Sequence, residues 1–352
     1  MDVLTRLDRD TAVLRLRLQQ QMRQMSTGFK AETLGDYGTT QPRLFNLKAD
    51  MTRRDAYAHA IDQALARTQA TQTALSRLSE IARKFADDVA MKLDANNTET
   101  IPLYADQARQ ALVEVGQLLN SQANGEYLFA GNDTGNPPVP DAANLDSSAW
   151  VTDIVAAVQT LGTGNAAAVN AATLAAVRDD AAGASPFSAY FQAGGAGLAE
   201  PQRSVPTADG VAVSYGITVA RNGAAVSQGE TAGSWVRDLV RGLASIAGLT
   251  PAQAADRDTF RDFTTNVRNG LTAASNALAD ESGALGLTEA RLEATKTQHA
   301  TMTTSLTSQV SGIEEVDLAE TLTKLQATQS VLETSYTAIG NLSALSLAKF
   351  LA

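Results

Sequence analysis

The chain contains no cysteine, so disulfides, thiolate nucleophiles and cysteine-bound zinc are excluded. It has two histidines, His59 and His299. Neither stands in an H-x-x-x-H or H-E-x-x-H spacing, so the commonest acid–base catalyst and metal ligand is nearly missing. Aromatic residues make up only 5%, which suits helices joined by small side chains better than a pocketed enzyme. No uncharged apolar run reaches the roughly 18 residues a membrane-spanning helix needs. The first residues, "MDVLTRLDRDTAVLRLRL", carry Arg6, Asp8, Arg9, Asp10, Arg15 and Arg17. These charges break any apolar core of a secretory signal, and the expectation is export, if any, without a conventional cleaved signal. The glycine runs "AGGAG" and "GAGLAEPQ" lack the lysine and the strand–helix context of a phosphate loop. The net charge of −10 argues against general nucleic-acid binding, which needs a Lys/Arg surplus facing phosphates. The expectation is no enzyme, cofactor, metal, nucleic acid or membrane insertion.

What is present is helical. Beyond Pro251 there is no proline, and an interior proline would cost a helix about 3 kcal/mol. Leu4, Leu7, Thr11, Leu14, Leu18, Gln21 and Met25 alternate spacings of three and four, the stripe of a heptad helix. "STGFKAETLGDYGTTQP" ends it. A second pattern runs from near Leu44, with Leu47, Met51, Ala58, Ile61, Leu65, Leu75, Ala82, Val89 and Leu93 on one stripe, widened by Leu78, Ile81 and Phe85. After "DANNTETIP" a helix resumes from Leu103 to Ala123, with Leu112, Val115 and Leu119 inward. Asn124-Gly125 reads as its stop. A pattern over residues 252 to about 310 predicts one long helix, with a possible interruption at "ESGALG" and a break at Gly312. In the last helix Leu318, Leu325, Leu332 and Ile339 recur every seven residues, and Leu322, Gln329, Tyr336 and Ser343 are read as the alternate seam.

The middle differs. Val211, Val213, Tyr215, Ile217 and Val219 alternate, predicting a half-buried strand, with Asn222-Gly223 as its hairpin turn. Helical pieces are expected near 147–161 and 234–247. The fold class expected is mainly α: a long antiparallel helical rod built from both termini, with an inserted small β-containing (α+β) central domain. The expected division is 1–40 with 311–352, a terminal helical pair; 41–131 with 250–310, a helical rod domain; and 132–249, an inserted outer domain.

A lone heptad helix cannot bury its stripe, so the two ends are expected to pair. Residues 1–30 hold six basic and three acidic residues, and 311–352 hold five acidic and two basic. That asymmetry favours pairing of unlike ends. So thin a pair is marginal alone, and ordering coupled to assembly is expected. The expected assembly interface is Leu4, Leu7, Leu14, Leu18, Met25, Leu318, Leu322, Leu325, Leu332, Tyr336 and Ile339.

"SGIEEVDLAETLTKLQATQSVLETSYTAIGNLSALSLAKFL" and "MRQMSTGFK" resemble the two conserved ends of the bacterial flagellin superfamily. "NGEYLFAGNDT", at Asn124–Thr134, resembles a segment of the flagellar hook-associated protein 3 family, which forms the hook–filament junction. The resemblance implies a structural role in the bacterial flagellum, adapting hook to filament by helical polymerisation. A divergent filament flagellin is the alternative, and a generic coiled-coil secretion-apparatus protein explains the heptads but neither motif. It also implies self-association in a ring or tube and contact with another hook-associated protein on one side and flagellin on the other. Type III export with a cytoplasmic chaperone, and an extracellular location in the flagellum, are further implications. Gly125, Tyr127, Leu128, Phe129 and Gly131 are expected to form an architectural turn. In it Tyr127 and Phe129 face one side, Leu128 faces the other, and the segment staples onto the long helices.

Overall fold

In the computed structural model the chain is mainly α-helical with a small β-containing central region, the expected fold class. The structure describes residues 3–220 and 231–351, and the side chains of 6–220 and 231–341. In chain order the main elements are α1 (Val3–Thr27), α2 (Gln41–Lys92), α3 (Ile101–Leu119), β1 (Gln122–Ala123), β2 (Glu126–Tyr127), α4 (Ala149–Gln159) and α5 (Ala166–Arg178). There follow β3 (Ser204–Ala208), β4 (Val211–Ser214), α6 (Trp235–Ala247), α7 (Arg257–Glu314) and α8 (Leu318–Leu351). The chain divides into two compact units, Met1–Ala56 with Gln298–Ala352, and Tyr57–Thr297. Parts of α2 and α7 belong to each.

In the first unit α1 and α8 pack together. They run antiparallel, because Phe29, just past the end of α1, lies opposite Glu315, just before the start of α8, while Arg15 reaches Tyr336. Gly28 adopts a φ of 77°, the left-handed conformation in which glycine ends a helix without a Cβ penalty. His299 is buried here beside Arg54, with 3.5 Å from Nη1 to Nδ1.

In the second unit α2 and α7 are antiparallel neighbours. Asp62 pairs with Lys296 at 2.6 Å, the Gln72 side chain bonds the Ser282 carbonyl at 2.7 Å, and Ser79 meets Ser275 at 3.3 Å. The stripe Ile61, Leu65, Leu75, Leu78, Ile81, Ala82, Phe85 and Val89 is buried as its spacing implies. Leu112, Val115 and Leu119 of α3 are fully buried. α6 is buried along its whole length, and α3, α4 and α5 pack on it. α7 runs through "ESGALG" unbroken and past Gly312 to Glu314. The expected interruption is absent because Gly283 and Gly286 cost only about 1 kcal/mol each in a helix otherwise held by packing.

Three local expectations are corrected. α3 stops at Leu119, and Asn124-Gly125 is the turn of a two-residue hairpin joining β1 to β2. Both residues have positive φ, 53° and 79°, the geometry that matches strand twist in such hairpins. The central strand is shorter than its alternation, β4 alone, and Val211 is exposed while Val213, Ile217 and Val219 are buried. Its partner is the upstream β3, joined through Asp209-Gly210, with a bulge between Pro206 and Ala208. Asn222-Gly223 lies outside the described residues. Among the described residues no helix is long and apolar enough to cross a membrane.

Candidate functional site

The paired termini meet at a joint made by the two quoted end motifs. Asp317 is the N-cap of α8: its Oδ1 accepts the amides of Ala319 (2.9 Å) and Glu320 (3.1 Å). Two donors that helix geometry leaves unpaired are thereby satisfied. Backbone bonds then lock the stretch after α1 onto the turn between α7 and α8. The Val316 amide donates to the Gly28 carbonyl at 2.9 Å, and the Lys30 amide to the Glu314 carbonyl at 2.7 Å. Lys30 Nζ reaches the carbonyls of Gly312 (2.8 Å) and Ile313 (3.1 Å). A cation there favours the negative end of the α7 dipole.

The seam of α1 is the expected one. Thr11 and Gln21 are buried, and Leu7, Leu14, Leu18 and Met25 are half-buried; the side chain of Leu4 lies outside the described residues. The α8 seam is shifted from expectation. Leu325, Leu332 and Ile339 face inward, but Thr321, Thr328 and Ser335 take the alternate places. Leu318 (52%), Leu322 (42%) and Tyr336 (42%) are exposed, and so is Gln329. Each of these hydroxyls is satisfied within the helix, as are those of the exposed Thr323, Thr334 and Thr337. Thr321 bonds the Asp317 carbonyl (2.7 Å), Thr328 that of Lys324 (2.8 Å) and Ser335 that of Val331 (2.8 Å). Arg15 lies over the Tyr336 ring at 5.2 Å and donates to its hydroxyl. The seam is therefore narrow and half polar, and Gln21 Oε1 is buried in it with no hydrogen-bond partner among the described residues. Val13, Leu16 and Met22 of α1 and Val331 of α8 add to the exposed apolar surface of this unit.

The turn at 125–131 is a packed hub of the second unit. Leu128 and Phe129 are both buried, as they can be on opposite faces of a segment that is covered on both sides. Tyr127 is only half-buried, and both faces of the following segment are covered. Phe129 meets Trp235 of α6 edge-on at 6.2 Å, and its carbonyl accepts the Val219 amide. Ala130 pairs with Thr218. Gly131 has a φ of 63°, and an ideal Cβ there would fall 1.6 Å from Glu200 Oε1. Glu200 accepts the Asn132 amide (3.1 Å) and the Tyr190 hydroxyl. That bond pushes the Tyr190 hydroxyl up to about 12.

The sequence does not announce the charged residues that hold this hub. Arg67 of α2 donates to the Tyr127 and Leu128 carbonyls and to Glu126 Oε2 at 3.0 Å, which ties the turn to a long helix. Arg203 reaches the same oxygen at 2.8 Å. Burial, and then the neighbouring Arg203, hold the Arg67 guanidinium below its ordinary value. Inside α6, Arg237 bonds Asp180 at 2.7 Å and lies 5.2 Å over the Trp150 ring. Asp238 accepts the Ala232 amide at 2.6 Å, and burial pushes its carboxyl up to about 6. Among the described residues no group of three or more His, Asp or Glu side chains is placed to hold a metal.

Long helices from both termini are joined where the end motifs meet, so the chain pairs its own two ends. The family comparisons agree. The bacterial flagellin N-terminal helical region matches residues 11–134, and the bacterial flagellin C-terminal helical region matches 269–351. Together they take in more than half of the chain, and the chain belongs to the flagellin superfamily. It is a flagellar structural component of a family that self-associates and contributes to extracellular appendages. No curated protein sequence matches the chain significantly. One solved structure, described as a candidate flagellar hook-associated protein from Vibrio parahaemolyticus, is similar at 13% identity. The match covers 78% of this chain and 100% of that one, with a TM-score of 0.42.

Proposed function

We propose that the chain is a hook–filament junction protein, adapting the hook to the flagellin filament by helical polymerisation. The observation that carries this reading is the 125–131 turn. Its sequence resembles that of the junction proteins, and Phe129 and Leu128 are sunk in the core of the second unit. The paired termini form the assembly interface. Leu318, Leu322 and Tyr336 act in it from the exposed side of α8, toward neighbouring subunits, and Leu325, Leu332 and Ile339 act from the seam with α1. The division into 1–40 with 311–352, 41–131 with 250–310, and 132–249 belongs to the same reading. So do contact with another hook-associated protein and with flagellin, and type III export with a cytoplasmic chaperone. The marginal seam suits a chain that is exported before it assembles.

Removing the protein from its cells tests this. Junction loss leaves hooks without filaments and releases flagellin monomers to the medium. Filaments of normal length in its absence contradict a junction role. A divergent filament flagellin is the second reading, favoured by the match of both flagellin end regions; its loss would leave no subunit in the medium to detect.

A further inference from the structure

A recess of about 510 Å³ lies in the second unit between α2, the β1–β2 turn and β3. Its lining mixes the apolar Ala60, Ala64 and Pro206 with the polar Gln63, Asn124 and Ser204. Also lining it, the Arg67 and Arg203 guanidiniums converge on a single oxygen, Oε2 of Glu126, at 3.0 and 2.8 Å. Two cations thus share one carboxylate, in a chain whose net charge is −10. Arg67 is held by the Tyr127 and Leu128 carbonyls with its side chain 9% exposed, whereas Arg203 is 31% and Glu126 41% exposed. Arg203 is further fixed by a hydrogen bond to Tyr215. Burial and then like-charge repulsion from Arg203 act on Arg67, and the two guanidiniums and one carboxylate leave the cluster one positive charge in excess.

We propose that this recess receives an acidic side chain from a second copy of this chain. Its carboxylate is bound by the outward donors of Arg203, over the fixed charge of Arg67. The inference rests on the self-association in the proposed function and names one contact within it. The chain carries 38 Asp and Glu against 28 Lys and Arg, so copies repel one another on average. A preorganised recess of opposite sign fixes where an approaching copy docks and at what rate. The planar forks of two arginines suit a carboxylate. The apolar lining residues take the methylenes that carry it. Glu126, on a short hairpin, is the resident anion that the incoming group displaces or joins.

The test is seeded self-association of the full-length chain, followed by light scattering at low and high salt, with monomer melting measured in parallel. Arg203→Gln is expected to slow association at least fivefold at low salt and to flatten its salt dependence, out of proportion to the small loss of melting temperature that follows from removing its ion pair with Glu126. Glu126→Gln, which frees both cations, is expected to speed association. Wild-type rate and salt dependence in Arg203→Gln overturn the inference and leave the proposed function standing. Parallel losses of melting temperature and association in both variants overturn it too, because the cluster is then only structural. If inorganic phosphate raises the melting temperature while leaving association untouched, the recess is a free-anion site and the inference falls. A wild-type chain that never self-associates overturns the proposed function itself.

Discussion

Phe29 and Glu315 face each other across a single antiparallel bridge, the point at which the two ends of the sequence are fastened together. The flanking bonds from Val316 to Gly28 and from Lys30 to Glu314 close the joint on the backbone. Its geometry tolerates many side chains but needs the left-handed Gly28 and the capping Asp317. Asp317→Ala removes the acceptor of two amides at the start of α8. The expected cost is about 1 kcal/mol. Amide exchange should accelerate in the first two turns of α8, while α3 and α6 stay protected.

The α8 seam makes a sharper prediction. Leu332 is 9% exposed and Leu325 half-buried, whereas the Lys324 side chain is 61% exposed and paired with Glu320. Leu332→Asp places an unpaired charge against α1, at a cost of roughly 2–4 kcal/mol. Leu325→Asp should cost less, and Lys324→Ala within about 0.5 kcal/mol of nothing. The two aspartates should release the termini to rapid exchange and block assembly, and the alanine should do neither. Because the second unit has its own core, its melting should be unchanged in all three. Equal assembly by all three variants would mean that this stripe faces no packed interface.

Two glycines of the 125–131 turn separate strain from collision. Gly125 has positive φ and open space around it, so Gly125→Ala meets only the backbone penalty of about 1–2 kcal/mol. Gly131→Ala meets that penalty and a clash with Glu200. It should destabilise the second unit more, and chemical denaturation of the two variants measures the difference.

Asp238 gives the second unit a pH signature. Its folded carboxyl is raised from 3.8 to about 6, so between those values the folded state holds a proton that the unfolded chain has released. Its contribution is fully present below about pH 4 and is lost as pH rises through about 6. The loss is on the order of 1–3 kcal/mol. Asp238→Asn removes that titration, so its stability advantage over the parent should grow across this range and stay constant above it. A constant difference from pH 4 to pH 7 would refute the assignment.

The long helices were legible because a buried stripe forces a period on the sequence. Ile61 to Val89 and Leu112 to Leu119 occupy the places that their spacing implies. The frame of α8 was legible only in part: Leu325, Leu332 and Ile339 face inward as their spacing implies, but a hydrophobic pattern selects Leu322 and Tyr336 for the alternate places and passes over Thr321, Thr328 and Ser335. Asn124-Gly125 is a signal shared by helix ends and hairpins, and only the positive φ of both residues decides it. β3 is masked by Pro206, which a strand admits where no ladder amide is needed. α5 is short and alanine-rich, with little amphipathic contrast to show it. Arg67, Glu126 and Arg203 are brought together across three elements distant in sequence, a relationship no local pattern encodes.

The most direct measurement of the central claim is the position of the protein on the intact flagellum, by immunogold electron microscopy of an epitope-tagged chain. A junction protein gives a compact cluster of label at the hook–filament boundary and nowhere else along the appendage. Label distributed along the filament would contradict the junction role and identify a filament subunit, and flagella without any label would contradict the flagellar assignment altogether.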